Sequence, residues 1–284
     1  MIVHVASYDV AIGEGRFIVG LVTQEEEVIS HGNVDLKFAY LGSKERPEPE
    51  KFGSSVTATF LAIPGEGPPQ PPSTGPIVAP ASEGRGVYSA LVGFDRAGFW
   101  KVRASADIKE VGKLSGSASF EVLAEHEVPA PGDPAPRTEN LTLASKDVPP
   151  TAIDSRAGSG DIPDPELHTT TIASSIARGR PTLVVFSTPT YCVSRFCGPV
   201  TDMVLGLARD YKDRAEFVHV EIWRDFEKGE INRAAAEWLQ RGDDLREPWV
   251  FLIGGDGRVI ARWDNVATRE EIEPLLQMLP SRPA

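Results

Sequence analysis

The chain has 284 residues, 41% from the hydrophobic set and 25% charged, the balance of an ordinary globular protein with room for two domains. Its formal net charge of −12, with no basic run or stripe, excludes a nucleic-acid partner, because binding a phosphate backbone needs clustered Lys and Arg. No apolar run approaches the roughly 18 residues of a membrane-spanning helix. The opening "MIVHVASYDVAIGEG" has neither the basic region nor the apolar core of a signal peptide, so the chain is expected to be cytoplasmic or to follow a removed leader.

Residues 1–125 carry short alternating or apolar stretches separated by Gly, Pro and Asp: "RFIVGLV", "VDLKFAY", "SVTATFLAI", "GVYSALVGF", "GFWKVRAS" and "SASFEVL". Strands at this spacing, without a helical period between them, predict an antiparallel sandwich. The stretch 63–80, "IPGEGPPQPPSTGPIVAP", carries seven prolines and predicts an irregular excursion, since Pro cannot join a central ladder. "RGVYSALV", with Gly86 two residues before Tyr88, resembles the tyrosine corner of immunoglobulin-like domains, with Ala90 where their cysteine follows. The resemblance implies an immunoglobulin-like β-sandwich held without an inter-sheet disulfide, serving as an interaction or scaffolding module.

Residues 126–165 are rich in Pro, Gly, Ser and Asp, the composition of a linker that is partly extended and able to follow a domain surface. His126 and His168 flank it and are expected to be exposed. From 166 the periodicity changes. "TIASSIARG" predicts a short helix ending at Gly179, and "PTLVVFS" a strand covered on both faces. "PVTDMVLGLARDYKD" puts Val200, Met203, Val204 and Leu207 on one helical stripe. "AEFVHVEIW" reads as a central strand with Phe217, His219, Glu221 and Trp223 on one face, Glu221 toward the surface. "INRAAAEWLQR" is a helix, "WVFLIGGDGRVIARW" a hairpin turned at Gly255–Asp256–Gly257, and "TREEIEPLLQML" a last helix with Thr268 and Glu271 at capping-box spacing. The order is that of an α/β domain over 166–284.

Both cysteines, Cys192 and Cys197, fall in "TPTYCVSRFCGPV" with four residues between them. On an ideal helix, Cα atoms five residues apart lie about 9 Å from each other, whereas a disulfide needs roughly 4.4–6.8 Å. A bond between them therefore requires a non-helical segment or a first turn that unwinds on oxidation. Pro199 allows either, because it suits the first position of a helix and predicts that the firm helix starts there.

This strand–cysteine–helix entry, together with a proline before "FLI" in "EPWVFLIGGDGRVIARW", resembles the thioredoxin superfamily, and in particular the extracytoplasmic thiol-disulfide oxidoreductases. The resemblance covers about 168–280 and implies a thioredoxin-like fold, a cis-proline at Pro248 against the active-site sulfurs, and an extracytoplasmic location with possible membrane association through a segment not in this chain. The chain departs from the family in its Cys-x4-Cys spacing and in having no acid in "PTLVVFS", where thioredoxins keep a buried carboxylate. On this reading Cys192 is the nucleophile, aided by the helix N-terminus and Arg195, and Cys197 resolves the mixed disulfide formed with a protein thiol or disulfide partner. No cofactor is then needed. The chain also resembles Cys-x4-Cys peroxiredoxins, but Pro189 and Pro248 stand where their peroxide-binding groups belong. It further resembles copper chaperones that hold Cu(I) with two cysteines and a histidine, which makes Cys192, Cys197 and His219 an alternative Cu(I) set. A third alternative is a non-enzymatic binding protein with a thioredoxin-like docking domain. A structural staple is a further reading, and a switched pair is preferred to it, since so short a disulfide loop restricts the unfolded chain little.

Overall fold

Period-two burial organises the N-terminal half. In β4 (Asn33–Gly42), Val34, Leu36 and Phe38 are buried while Asn33, Asp35 and Lys37 face solvent, so one face of the strand is hydrophobic and only one register buries it. The computed structural model describes residues 1–65, 75–80 and 82–281 and divides the chain into two units, residues 1–126 and 127 onward.

In the first unit the strands in chain order are β1 (Ile2–Val5), β2 (Gly13–Val22), β3 (Val28–Ser30), β4, β5 (Ser55–Ala62), β6 (Ile77–Ala79), β7 (Gly86–Phe94), β8 (Gly98–Ile108) and β9 (Gly112–Val122). Among the described residues they pair antiparallel in the order β6-β3-β2-β7-β5-β4-β8-β9, with β1 added to β2. The far edge comes back to the start of the chain, for β1 packs on β9 so closely that a Cβ at Gly116 would collide with the Met1 carbonyl. The sheet thus folds over a single core in the manner of a β-sandwich. Four rings fill its centre: Phe17 stands edge-on to Phe38 at 5.1 Å and to Phe94 at 5.9 Å, and tilts against Phe120 at 4.9 Å.

Three elements differ from expectation here. The short strands β1, β3 and β6 carry no readable alternation, and β6 lies inside the proline-rich stretch, of which 66–74 is outside the described residues. Tyr88 is fully buried, but its hydroxyl donates to the carbonyl of His31 at 2.8 Å, on the far side of β4 and β5 in sequence. A tyrosine corner bonds a few residues upstream, so Tyr88 is a long-range tie and not a corner.

The second unit contains α1 (Ile172–Ala177), β10 (Thr182–Ser187), α2 (Cys197–Tyr211), β11 (Glu216–Glu221), β12 (Trp223–Asp225), β13 (Glu230–Ile231), α3 (Arg233–Leu239), β14 (Trp249–Ile253), β15 (Val259–Asp264) and α4 (Arg269–Met278). The main sheet runs β11-β10-β14-β15, parallel between β10 and β11 and antiparallel elsewhere. Leu183 and Val185 of β10 face Val200, Val204 and Leu207 of α2 and Ile272 and Leu276 of α4 in one core. On the opposite face Phe186 and Phe251 meet the Trp238 ring of α3 at 5.1 and 4.9 Å. Helices therefore cover both faces, which is why β10 is buried at all six positions. Local signals also hold at the ends of these elements. Thr171 caps α1 by accepting from Ser174 N at 3.1 Å, Gly179 follows it at φ +65°, and Gly257 turns the β14–β15 hairpin at φ +79°.

The segment read as a linker belongs to the second unit from Glu127 onward. Its prolines cannot donate, but the residues between them do: Gly132 N reaches Val259 O at 2.8 Å and Ala135 N reaches Gly257 O at 2.9 Å, so the segment runs along β15. Further on, Thr138 accepts the buried Trp238 indole N–H at 2.9 Å, and two 3-10 turns follow at Pro150–Ala152 and Ser155–Ala157. β11, expected to be central, ends the strand order, yet five of its six residues are buried. Among the described residues no helix is long and apolar enough to cross a membrane.

Candidate functional site

Among the described residues, two clusters of reactive side chains form in the second unit. The first lies at the carboxyl end of β10. After Ser187 the chain turns, with Cys192 N bonded to Thr188 O at 3.1 Å and Arg195 N to Cys192 O at 3.3 Å. Arg195 adopts φ +61°, a conformation incompatible with a continuing helix. The turn shortens the Cys192–Cys197 Cα separation to 6.0 Å, within disulfide range, and the two sulfurs are bonded. α2 then starts at Cys197 itself, two residues before the expected Pro199. Pro199 falls in the first turn, where its missing N–H costs no hydrogen bond.

The two cysteines differ in access. Cys197 is fully buried, while Cys192 is half-buried, its sulfur 3.2 Å from Ser194 Oγ and its neighbour Val193 95% exposed. Arg195 is exposed. The Glu247–Pro248 peptide bond is cis, and it precedes β14. A carboxylate oxygen of Glu247 and the two sulfurs all lie within 4.8 Å of one another. Burial, and secondarily the nearby Glu221 charge, push the Glu247 carboxyl up to about 7.

The second cluster joins Asp154, His168 and His219, each at most 1% exposed. His219 projects from the same face of β11 as Phe217; its Nε2 meets Ser187 O at 3.1 Å and its Nδ1 lies 3.4 Å from Asp154 Oδ2. His168 Nε2 lies 3.5 Å from the same oxygen, and the two imidazoles cross at 5.2 Å. Arg156 closes the cluster, donating to Asp154 Oδ1 and Oδ2 at 3.0 and 2.7 Å and reaching Asp164 at 2.7 Å and Asp202 at 3.2 Å. Burial alone would raise the Asp154 carboxyl, but contacts with His168, His219 and Arg156 outweigh it and hold the group far below the usual carboxylate range. Burial lowers His168.

These placements revise several expectations. His168 is buried and not exposed. Glu221 is 1% exposed, accepting Ser155 N at 2.8 Å and Ile222 N at 2.9 Å, so it does not face solvent. Burial raises its carboxyl. His219 does not join the sulfurs: Glu247 is the group that does, and His219 is held by Asp154 and Ser187. The acid beside the sulfurs is thus the residue before Pro248 and not one on β10. Its signal in the sequence was an acid beside a proline already singled out. Asp154 had none, because it sits in a stretch whose composition resembles a linker.

Compared with family models, with curated proteins and with solved structures, the chain finds no match.

Proposed function

We propose that the second unit is a thioredoxin-like thiol-disulfide oxidoreductase or redox sensor acting on a protein thiol or disulfide. The observation that carries this reading is the Cys192–Cys197 pair with the Glu247 carboxylate inside 4.8 Å of both sulfurs. The strand order β11-β10-β14-β15, with the cysteine turn between the first strand and a helix N-terminus, supports it.

The exchange balances as follows. In the dithiol form Cys192, the accessible sulfur, attacks a partner disulfide as thiolate. A Cys192–partner disulfide forms and the partner's other sulfur leaves as thiolate, taking up a proton. Cys197 then gives its proton to Glu247 and attacks the Cys192 sulfur, which breaks the mixed bond and releases the second partner sulfur as a thiolate that takes this proton back from Glu247. The partner gains two electrons and two protons, and the chain is left with its intramolecular disulfide. Run backwards, the same steps oxidise a partner dithiol, with Glu247 returning the proton. A carboxyl near 7 exchanges protons with a thiol in either direction at neutral pH.

The test is equilibration in graded thiol/disulfide buffers, alkylation and mass spectrometry, with Cys192→Ser as control. A reversible two-electron transition at roughly −120 to −270 mV supports exchange chemistry. A pair that remains in one state throughout sinks it and favours the docking reading.

A further inference from the structure

We propose that Asp154, His168 and His219 form a buried binding site for a divalent transition-metal ion, with zinc as the ion to test. The three come from separate parts of the second unit: a 3-10 turn, the segment before α1, and β11.

Spacing is the first argument. Asp154 Oδ2 stands 3.4 Å from His219 Nδ1 and 3.5 Å from His168 Nε2. Hydrogen bonds between nitrogen and oxygen fall at roughly 2.7–3.2 Å. Ligand atoms around a tetrahedral zinc, each about 2.0–2.1 Å from the metal, are about 3.4 Å apart. The observed separations match an edge of such a tetrahedron better than a hydrogen bond.

Protonation is the second. The Ser187 carbonyl can only accept, so at 3.1 Å it places the His219 ring proton on Nε2. With Nε2 committed to Ser187, Nδ1 is the nitrogen left to face Asp154 Oδ2, across a separation that a shared metal ion would fill. A ligating histidine bound through its other nitrogen to a backbone carbonyl is the usual outer-shell arrangement. Neither ring nitrogen of His168, nor His219 Nδ1, has a hydrogen-bond partner, although all three are fully buried. Burial of that kind without compensation is costly.

Charge is the third. Asp154, Asp164 and Asp202 converge on one guanidinium, that of Arg156, leaving two formal negative charges of the carboxylates beside the two imidazoles. Arg156 binds Asp154 Oδ2 at 2.7 Å, and this same oxygen is the one that stands 3.4 and 3.5 Å from the two histidines. Two imidazoles and one carboxylate suit zinc and similar borderline ions better than thiolate-seeking Cu(I) or oxygen-seeking Mg²⁺ and Ca²⁺. The ion would join the 150–168 segment to β11, independently of the cysteines.

The experiment uses the full chain with its disulfide intact, so that thiolates cannot bind, stripped with chelator and then titrated with Zn²⁺ against a chromophoric competitor. The expected result is one bound equivalent and a higher Tm in wild type and in the Cys192→Ser/Cys197→Ser variant, with affinity lower by about 100-fold or more in His168→Gln and His219→Gln. Zinc absorption spectroscopy on the wild type, which needs no variant to fold, should give a nitrogen and oxygen shell with imidazole scattering. No bound zinc, binding retained by both histidine variants, or sulfur in the shell would overturn the site. None of these results depends on whether the cysteines exchange.

Discussion

The Glu221 carboxylate accepts the backbone N–H of Ser155 at 2.8 Å and that of Ile222 at 2.9 Å, and this ties the turn carrying Asp154 to the end of β11. Removing the acceptor leaves buried donors unsatisfied, each worth about 1–3 kcal/mol. Glu221→Ala should therefore lower unfolding stability by about 2–4 kcal/mol in urea. Glu221→Gln should recover only part of this, because one of its two terminal atoms is a donor facing an N–H. Full recovery by Gln would mean that a single acceptor suffices.

Glu247 makes two pH-dependent quantities measurable. Its carboxyl rises from 4.5 to about 7 in the folded chain. Between those values the unfolded chain has lost the proton that the folded chain keeps, so stability attributable to this group is full below about 4.5 and falls as pH rises to about 7. Relative to wild type, Glu247→Gln should gain about 2–3 kcal/mol over that window, partial exposure screening the remainder.

Exchange kinetics should follow the same group. The reaction of the reduced chain with a small disulfide should show an inflection near pH 7 in wild type. In Glu247→Gln the inflection should vanish and the rate at pH 7.5 should fall about tenfold to a hundredfold. An unchanged profile would remove Glu247 from the chemistry.

The difference in burial between the cysteines predicts their order of attack. With Cys197→Ser, the half-buried Cys192 should alkylate readily and hold a trapped mixed disulfide. With Cys192→Ser, the fully buried Cys197 should alkylate roughly tenfold more slowly or less. Equal rates would contradict the assignment of nucleophile and resolving thiol.

In the first unit, Phe17 touches three other rings and is 1% exposed, so Phe17→Ala should cost about 3–5 kcal/mol by calorimetry or denaturant. Tyr88→Phe keeps the ring and deletes only the bond to His31 O, for about 0.5–1.5 kcal/mol. A Tyr88→Phe cost as large as that of Phe17→Ala would show that the hydroxyl, and not the buried ring, carries the position.

The sequence by itself determined what depends on a few neighbouring residues. Alternation at Val34, Leu36 and Phe38 marked β4; the stripe Val200, Val204 and Leu207 marked α2; Gly257 marked the hairpin. Each is a local pattern of burial or backbone conformation that repeats within one element. β1, β3 and β6, three or four residues long, are too short to show a period, and their pairing partners define them. For the cysteines, helix geometry limited a bond to a non-helical segment or an unwound first turn, and the structure has the first of these, with Arg195 at φ +61°.

Only the tertiary structure decided that Glu247 meets the sulfurs, that Tyr88 reaches His31, and that Asp154 stands between His168 and His219. Closing a long loop costs free energy that changes only slowly with its length, so distant residues meet without any local mark on the chain between them. A segment rich in Pro and Gly looks the same in sequence whether it hangs free or lies along β15. Which of the two it does is set by the donors between its prolines and by the strand edge that receives them.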